Sequence, residues 1–290
     1  MSAAPLIDEW TGRDVTIAQI ERELARLRST SEGASNLRTS VMTHLAWAPP
    51  EWVAAAEATL AGMAERHPSR TVILVPHPEE ENGLDAELSV RCFPLGDSHV
   101  CSEVLELSLR GNRALAPASV VVPLLISDLP VFCRWRGEPP WDAVEFAQLV
   151  DVADRLVVDS TEWEDLPRAY ARLATFFERT VVSDIAWART ERWRRLLASL
   201  WPDIATAHTV RVHGTRAQGY LIVGWLRSRL DEDIALDVDE QEKLVGIDID
   251  GEPASFPPGD PPNPSDVLSQ ELDRFTRDPI YEAAVRAATA

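Results

Sequence analysis

Two spacings of apolar and polar residues take turns along this chain. Residues 1–12 read as a loose arm. Behind it a Thr16–Gln19 capping box opens a helix in which Ile17, Ile20, Leu24 and Leu27 recur on one face. Leu37, Thr39, Val41, Thr43, Leu45 and Trp47 then alternate as a strand does. Pro50 starts an alanine-rich helix over 51–66, and a second strand follows at 70–75. Strand, helix and strand in that order predict a parallel pair with a right-handed crossover. Residues 87–95 and 98–110 are two strand-like runs joined by Gly96-Asp97, a two-residue hairpin signal. A short helix from Pro117 to 126, a buried strand at 129–135, a helix at 142–153 and a strand at 155–158 continue the alternation.

The second half begins with a helix over 162–179. Next comes SDIAWARTERWRRLLASLW, residues 183–201, which contains neither Pro nor Gly. It predicts one helix of about five turns, with Ser183 or Asp184 as N-cap and Pro202 as the stop. Ala186, Thr190, Trp193, Leu196, Leu197 and Leu200 make its apolar face. A strand at 207–213, a helix at 216–230 and strands near 234–238 and 244–249 follow. Five prolines between 257 and 264 form an extended spacer, and two short helices start at Ser265 and at Asp278-Pro279. The pattern predicts the α/β class: two layered α/β domains with mixed sheets and flanking helices. The first, 1–160, carries the N-terminal helix; the second, 161–290, carries the spacer and terminal helices.

Several polar positions disturb these patterns. Arg189 projects into the apolar stripe of its helix, where a guanidinium must reach water along Trp193 or meet a carboxylate. Trp187 lies off that stripe, so either a neighbouring helix covers it or it belongs to an interface. Arg134, Trp135 and Arg136 stand with Gly137 at the carboxyl end of a buried strand, where open α/β sheets place their ligand sites. The next strand ends at Asp159, within reach of Arg136 if the two strands run parallel. The group reads as an anion or partner-docking site, or as an ion pair packed on Trp135. Across the hairpin, the register sets Cys92 opposite Cys101, a candidate redox pair or two buried thiols.

A net charge of -19 narrows the partners, because nucleic acid and anionic membrane surfaces both require a cationic footprint. Lys243 is the only lysine and so the one candidate for a phosphate-loop or Schiff-base role, but it stands among acids without a Gly-rich loop, and neither chemistry is expected. The sequence holds no GxSxG, HExxH, GxGxxG or Walker motif, and its six histidines are scattered. No cofactor, metal or catalytic set is expected. The acidic N-terminus is not that of a signal peptide, and no apolar run is long enough to span a bilayer, so the expected compartment is the cytoplasm.

The stretch SDIAWARTERWRRLL resembles the glucose-6-phosphate dehydrogenase assembly protein family, OpcA. So do VVVPLLISDLPVFCRWRGEPP (120–140), TIAQIERELARL near the N-terminus and LSQELDRFTRDPIYEAAV near the end. The resemblance implies a non-catalytic partner that binds glucose-6-phosphate dehydrogenase, favours its active oligomer and activates it. It brings no assigned contact residues, so Arg134, Trp135, Arg136, Asp159, Trp187 and Arg189 remain partner-site candidates on their own chemistry. The competing expectation is an α/β enzyme or sensor holding a phosphosugar through Arg134, Arg136 and Arg189, with Asp159 as base.

Overall fold

A computed structural model describes residues 6–30, 36–37, 40–61, 69–95, 98–257, 264–274 and 276–289. The chain is α/β and divides into two compact units, residues 1–156 and 157–290. The first contains, in order, β1 (Leu6–Gly12), α1 (Ile17–Thr30), β2 (Asn36–Leu37), β3 (Met42–Trp47), α2 (Val53–Ala61), β4 (Ser69–His77), β5 (Gly83–Leu95), β6 (Ser98–Arg110), α3 (Asn112–Leu115), α4 (Ala118–Val121), β7 (Val131–Trp135) and α5 (Val144–Val152). The division falls inside β8 (Arg155–Val158).

The sheet of the first unit is mixed and runs β1-β5-β6-β4-β3-β7. β3 pairs parallel with β4 and with β7, as a strand–helix–strand unit requires. β5 and β6 form the long antiparallel hairpin, with Leu95 opposite Ser98. Its turn, Gly96-Asp97, lies outside the described residues, but the register is the one that a two-residue turn imposes. One row of hairpin residues, Ala86, Leu88, Leu105 and Leu107, is buried, and α1 adds buried Ile20, Leu24 and Leu27. On another part of the sheet, Ala46, Ile73 and Val75 pack with Ala56 of α2.

Two expectations for this unit change. The arm over 1–12 includes β1, which pairs antiparallel with β5, Trp10 opposite Leu88. Its Asp8, Glu9 and Thr11 mask the strand signal, because an edge strand keeps polar side chains. The strand expected over 37–47 is two strands, β2 against β6 and β3 against β4.

The second unit contains α6 (Arg168–Ala174), β9 (Val181–Asp184), α7 (Ile185–Arg189), α8 (Glu191–Ser199), β10 (Thr209–Gly214), α9 (Arg216–Leu230), β11 (Ala235–Glu240), β12 (Gly246–Ile249), β13 (Glu252–Pro253), α10 (Pro264–Leu272) and α11 (Pro279–Ala288). A four-stranded mixed sheet runs β11-β10-β12-β13, with β10 and β11 parallel across α9 and β12 antiparallel to β10. Val210, Val212 and Ile247 face Ile222 and Leu226 of α9 and Trp193 and Leu197 of α8 in one core cluster. α9 starts on a complete capping box, Thr215 with Gln218, and ends at Asp231 in the left-handed region.

The single helix expected over 183–201 is broken. Ser183 and Asp184 end β9; Asp184 nevertheless caps the helix as expected, accepting from the Ala186 amide at 2.9 Å, and the helix breaks at Thr190 into α7 and α8. The Thr190 hydroxyl donates to the Trp187 carbonyl at 2.7 Å, and its amide donates to the same oxygen at 3.0 Å, which tightens the turn. The helix expected over 162–179 shrinks to α6. Pro167 has no amide to donate and stands at its N-cap, behind a 3-10 turn over Ser160–Glu162.

Candidate functional site

In the first unit the parallel register sets Trp47 of β3 beside Trp135 of β7. The two rings stack 4.8 Å apart at 13°, and Phe146 of α5 meets Trp135 edge-on at 4.9 Å. Trp135 is 2% exposed, so it is core and presents no face to solvent. Arg134 is equally buried, and its guanidinium donates back to the Trp135 carbonyl. Arg136 leaves the strand with its amide on the Trp47 carbonyl at 3.0 Å. Its guanidinium passes over the Trp52 ring and donates to the Ala55 carbonyl and Thr59 Oγ1, both at 3.1 Å. Of the three predicted anchors on this strand, Arg136 is the half-buried one, and α2 holds it in place.

In the second unit Asp159 follows β8 and caps the 3-10 turn, accepting from the amide and hydroxyl of Thr161. Its other oxygen meets Arg189 at 3.0 Å. The sequence reading pairs Asp159 with Arg136, whereas the structure gives it Arg189. The cause is α7, which starts at the end of β9 and brings Arg189 to the turn that follows β8.

The same turn opens a buried network that the sequence reading did not find. Asp184, 0% exposed, ends β9 and accepts from the Ser160 amide at 3.1 Å, the Ser160 hydroxyl at 2.7 Å, the Ala186 amide at 2.9 Å and the Tyr281 hydroxyl at 3.3 Å. Tyr170 donates to Ser160 Oγ at 2.8 Å. Among the described residues no cation is a partner of Asp184. Burial and then the nearby Asp159 charge push its carboxyl up to about 7, against the donors that favour the ion. Both tyrosines are raised well above the phenol range, by burial first and the Asp184 charge second. One signal was available: the apolar pair Val181-Val182 in front of Ser183-Asp184 suits a short buried strand as well as a helix entry.

Trp187 is covered rather than presented. Its indole Nε1 donates to Asp278 at 2.9 Å, Tyr281 tilts against it at 5.7 Å, and the Arg194 guanidinium stacks 3.4 Å over its ring. Burial brings the Arg194 guanidinium down to about 10. Asp278 also caps α11, accepting from the Ile280 and Tyr281 amides at 3.0 Å.

Beside the 3-10 turn lies a cleft of about 750 Å³. Ser160 and Thr161 line one side, Thr215 and Arg216 another, and Glu240 at the end of β11 with Glu242 just beyond it a third. It sits at the carboxyl ends of the parallel pair β10 and β11.

The hairpin register sets Cys92 opposite Cys101, as expected, but the Cys92 side chain lies outside the described residues. Cys133 is a buried free thiol, raised by burial to about 12. Among the described residues no set of three or more His, Cys, Asp and Glu is placed to hold a metal ion, and no helix is long and apolar enough to cross a membrane.

Two family models match the chain. Residues 61–175 match the glucose-6-phosphate dehydrogenase subunit N-terminal domain, and residues 180–253 match the C-terminal domain of the same subunit. Curated relatives are OxPP cycle proteins named OpcA. That of Synechocystis sp. is 25% identical over 182 residues, 58% of this chain and 38% of the relative. The Nostoc punctiforme protein is 27% identical over 183 residues, 58% of this chain and 39% of the relative. In Synechococcus elongatus the figures are 28% over 184 residues, 58% and 41%. The chain therefore spans about two fifths of the length of the curated relatives it matches. With both domain models matched in order, and with these relatives, the chain belongs to the OpcA family of glucose-6-phosphate dehydrogenase assembly proteins.

Proposed function

We propose that this chain is a non-catalytic partner of glucose-6-phosphate dehydrogenase, which it binds in the cytoplasm and helps into its active oligomer, raising its activity. The family match over both units carries the reading. The side chains support it. An enzyme acting on a phosphosugar would need Arg134, Arg136 and Arg189 turned to the ligand and Asp159 free as base. Arg134 is folded onto its own strand, Arg136 is held by α2, and Asp159 is tied to Arg189. Within this reading Arg136 beside Trp52 is the contact candidate of the first unit, while Trp135 and Trp187 act from the core as supports.

Oligomer size tests the proposal. The dehydrogenase from the same source, measured by light scattering with and without equimolar chain, should shift to a larger assembly that contains both proteins. Unchanged masses at micromolar concentrations would refute it.

A further inference from the structure

The second unit offers an interaction surface that the family match does not specify. β11 is an edge strand: the sheet order gives it β10 as its single neighbour among the described residues. The Ala235 amide bonds the His208 carbonyl at 2.8 Å, and the Gln241 amide bonds the Gly214 carbonyl at 3.0 Å. In a parallel ladder this turns the odd-numbered residues of β11 toward β10. The amides and carbonyls of Leu236, Val238 and Glu240 therefore point out of the sheet, a template for one more strand.

Charge decides what that strand can be. Residues 231–242 hold seven acids and no basic residue. Arg227 meets Asp233, Arg211 meets Asp237 and His213 meets Asp239. Glu240 and Glu242 have no ion pair among the described residues, and both line the 750 Å³ cleft at the carboxyl end of the strand. A second copy of this chain would set one acidic edge against another, which like-charge repulsion opposes. A basic strand meets uncompensated charge at Glu240 and Glu242, where the edge ends, and the cleft there has room for a long cationic side chain.

We infer that the open edge of β11, continued by the cleft at Glu240 and Glu242, docks an extended basic segment of a partner protein by strand addition. Naming the dehydrogenase as that partner rests on the proposed function; the surface itself does not.

The test uses the full chain and a synthetic peptide of alternating Arg and Val, about as long as β11. Calorimetry should detect binding that a Glu/Val peptide of the same length does not show. Hydrogen exchange should show new protection at the Leu236, Val238 and Glu240 amides. Glu240→Pro removes one outward amide without touching the ladder to β10, and should weaken the peptide about tenfold. Glu242→Lys, which leaves the strand backbone alone, should weaken it as well, and Glu87→Lys in the first unit should not. Failure of the wild-type chain to bind the peptide at millimolar concentration would overturn the inference, as would wild-type affinity in both Glu240→Pro and Glu242→Lys. If the peptide behaves as expected and the dehydrogenase does not bind, the surface stands and the proposed partner is wrong.

Discussion

Arg189 and Asp159 close an ion pair at 3.0 Å between the end of α7 and the turn after β8. The carboxylate is 5% exposed and the guanidinium 32%. Asp159 also caps the 3-10 turn, so the pair fixes two loops at once. Removing the guanidinium leaves a buried carboxylate whose donors among the described residues are the Thr161 amide and hydroxyl. Arg189→Ala should lower stability by about 2 kcal/mol, below the range for fully buried pairs because Arg189 reaches solvent. Urea titration checks this, and an unchanged midpoint would contradict the packing of α7.

Asp184 gives the fold a pH dependence of definite sign. Its carboxyl titrates at about 7 in the folded chain and near the ordinary carboxylate value when unfolded. The folded state therefore holds the proton more tightly. The resulting stability is complete below about pH 4 and is lost as pH rises through about 7. Asp184→Asn should flatten the fall in urea midpoint between pH 5 and 8. Parallel slopes for wild type and variant would contradict it.

α9 and α11 touch where Gly224 lies. A Cβ there would stand 2.2 Å from the Ala284 carbonyl oxygen and 2.9 Å from the Ala288 Cβ. Backbone cannot yield as a flexible side chain would. Gly224→Ala should destabilise by about 2 kcal/mol, despite the better helix propensity of alanine. A melting temperature at or above wild type would show that the helices separate at little cost.

Much of the scaffold was legible because it is written in local signals. β8 over 155–158 and α9 over 216–230 fall where their apolar runs end, and the Thr16–Gln19 box forms as read, with the Gln19 side chain on the Thr16 amide at 2.8 Å. The break at Thr190 was hidden, since a threonine on an apolar stripe continues a helix as easily as it tightens one. The Asp184 network was hidden for another reason. Its members, Ser160, Tyr170, Asp184 and Tyr281, are spread over more than a hundred residues and meet only when β9, α6 and α11 have packed. Arg189 announced that it needed a carboxylate, but its spacing could not say which of 47 acids would supply it.

His213 lies between Asp239 at 2.8 Å and Asp248 at 3.1 Å on the polar face of the small sheet. Hydrogen bonds to Asp239, then to Asp248, raise its imidazole above the ordinary range. Its contribution is complete below the ordinary histidine value and is lost as pH rises through the raised one. Proton NMR should find the His213 midpoint above the ordinary histidine value, and Asp239→Asn should bring it down. A midpoint unmoved by that substitution would contradict the assigned contacts.

The central claim, activation without catalysis, is tested most directly by kinetics. The purified chain is titrated into its cognate dehydrogenase, and nicotinamide reduction is followed over a range of glucose 6-phosphate. The account predicts a saturable rise in kcat/KM at micromolar chain, with no turnover by the chain alone. An unchanged rate curve at every ratio, or turnover without the dehydrogenase, would contradict it.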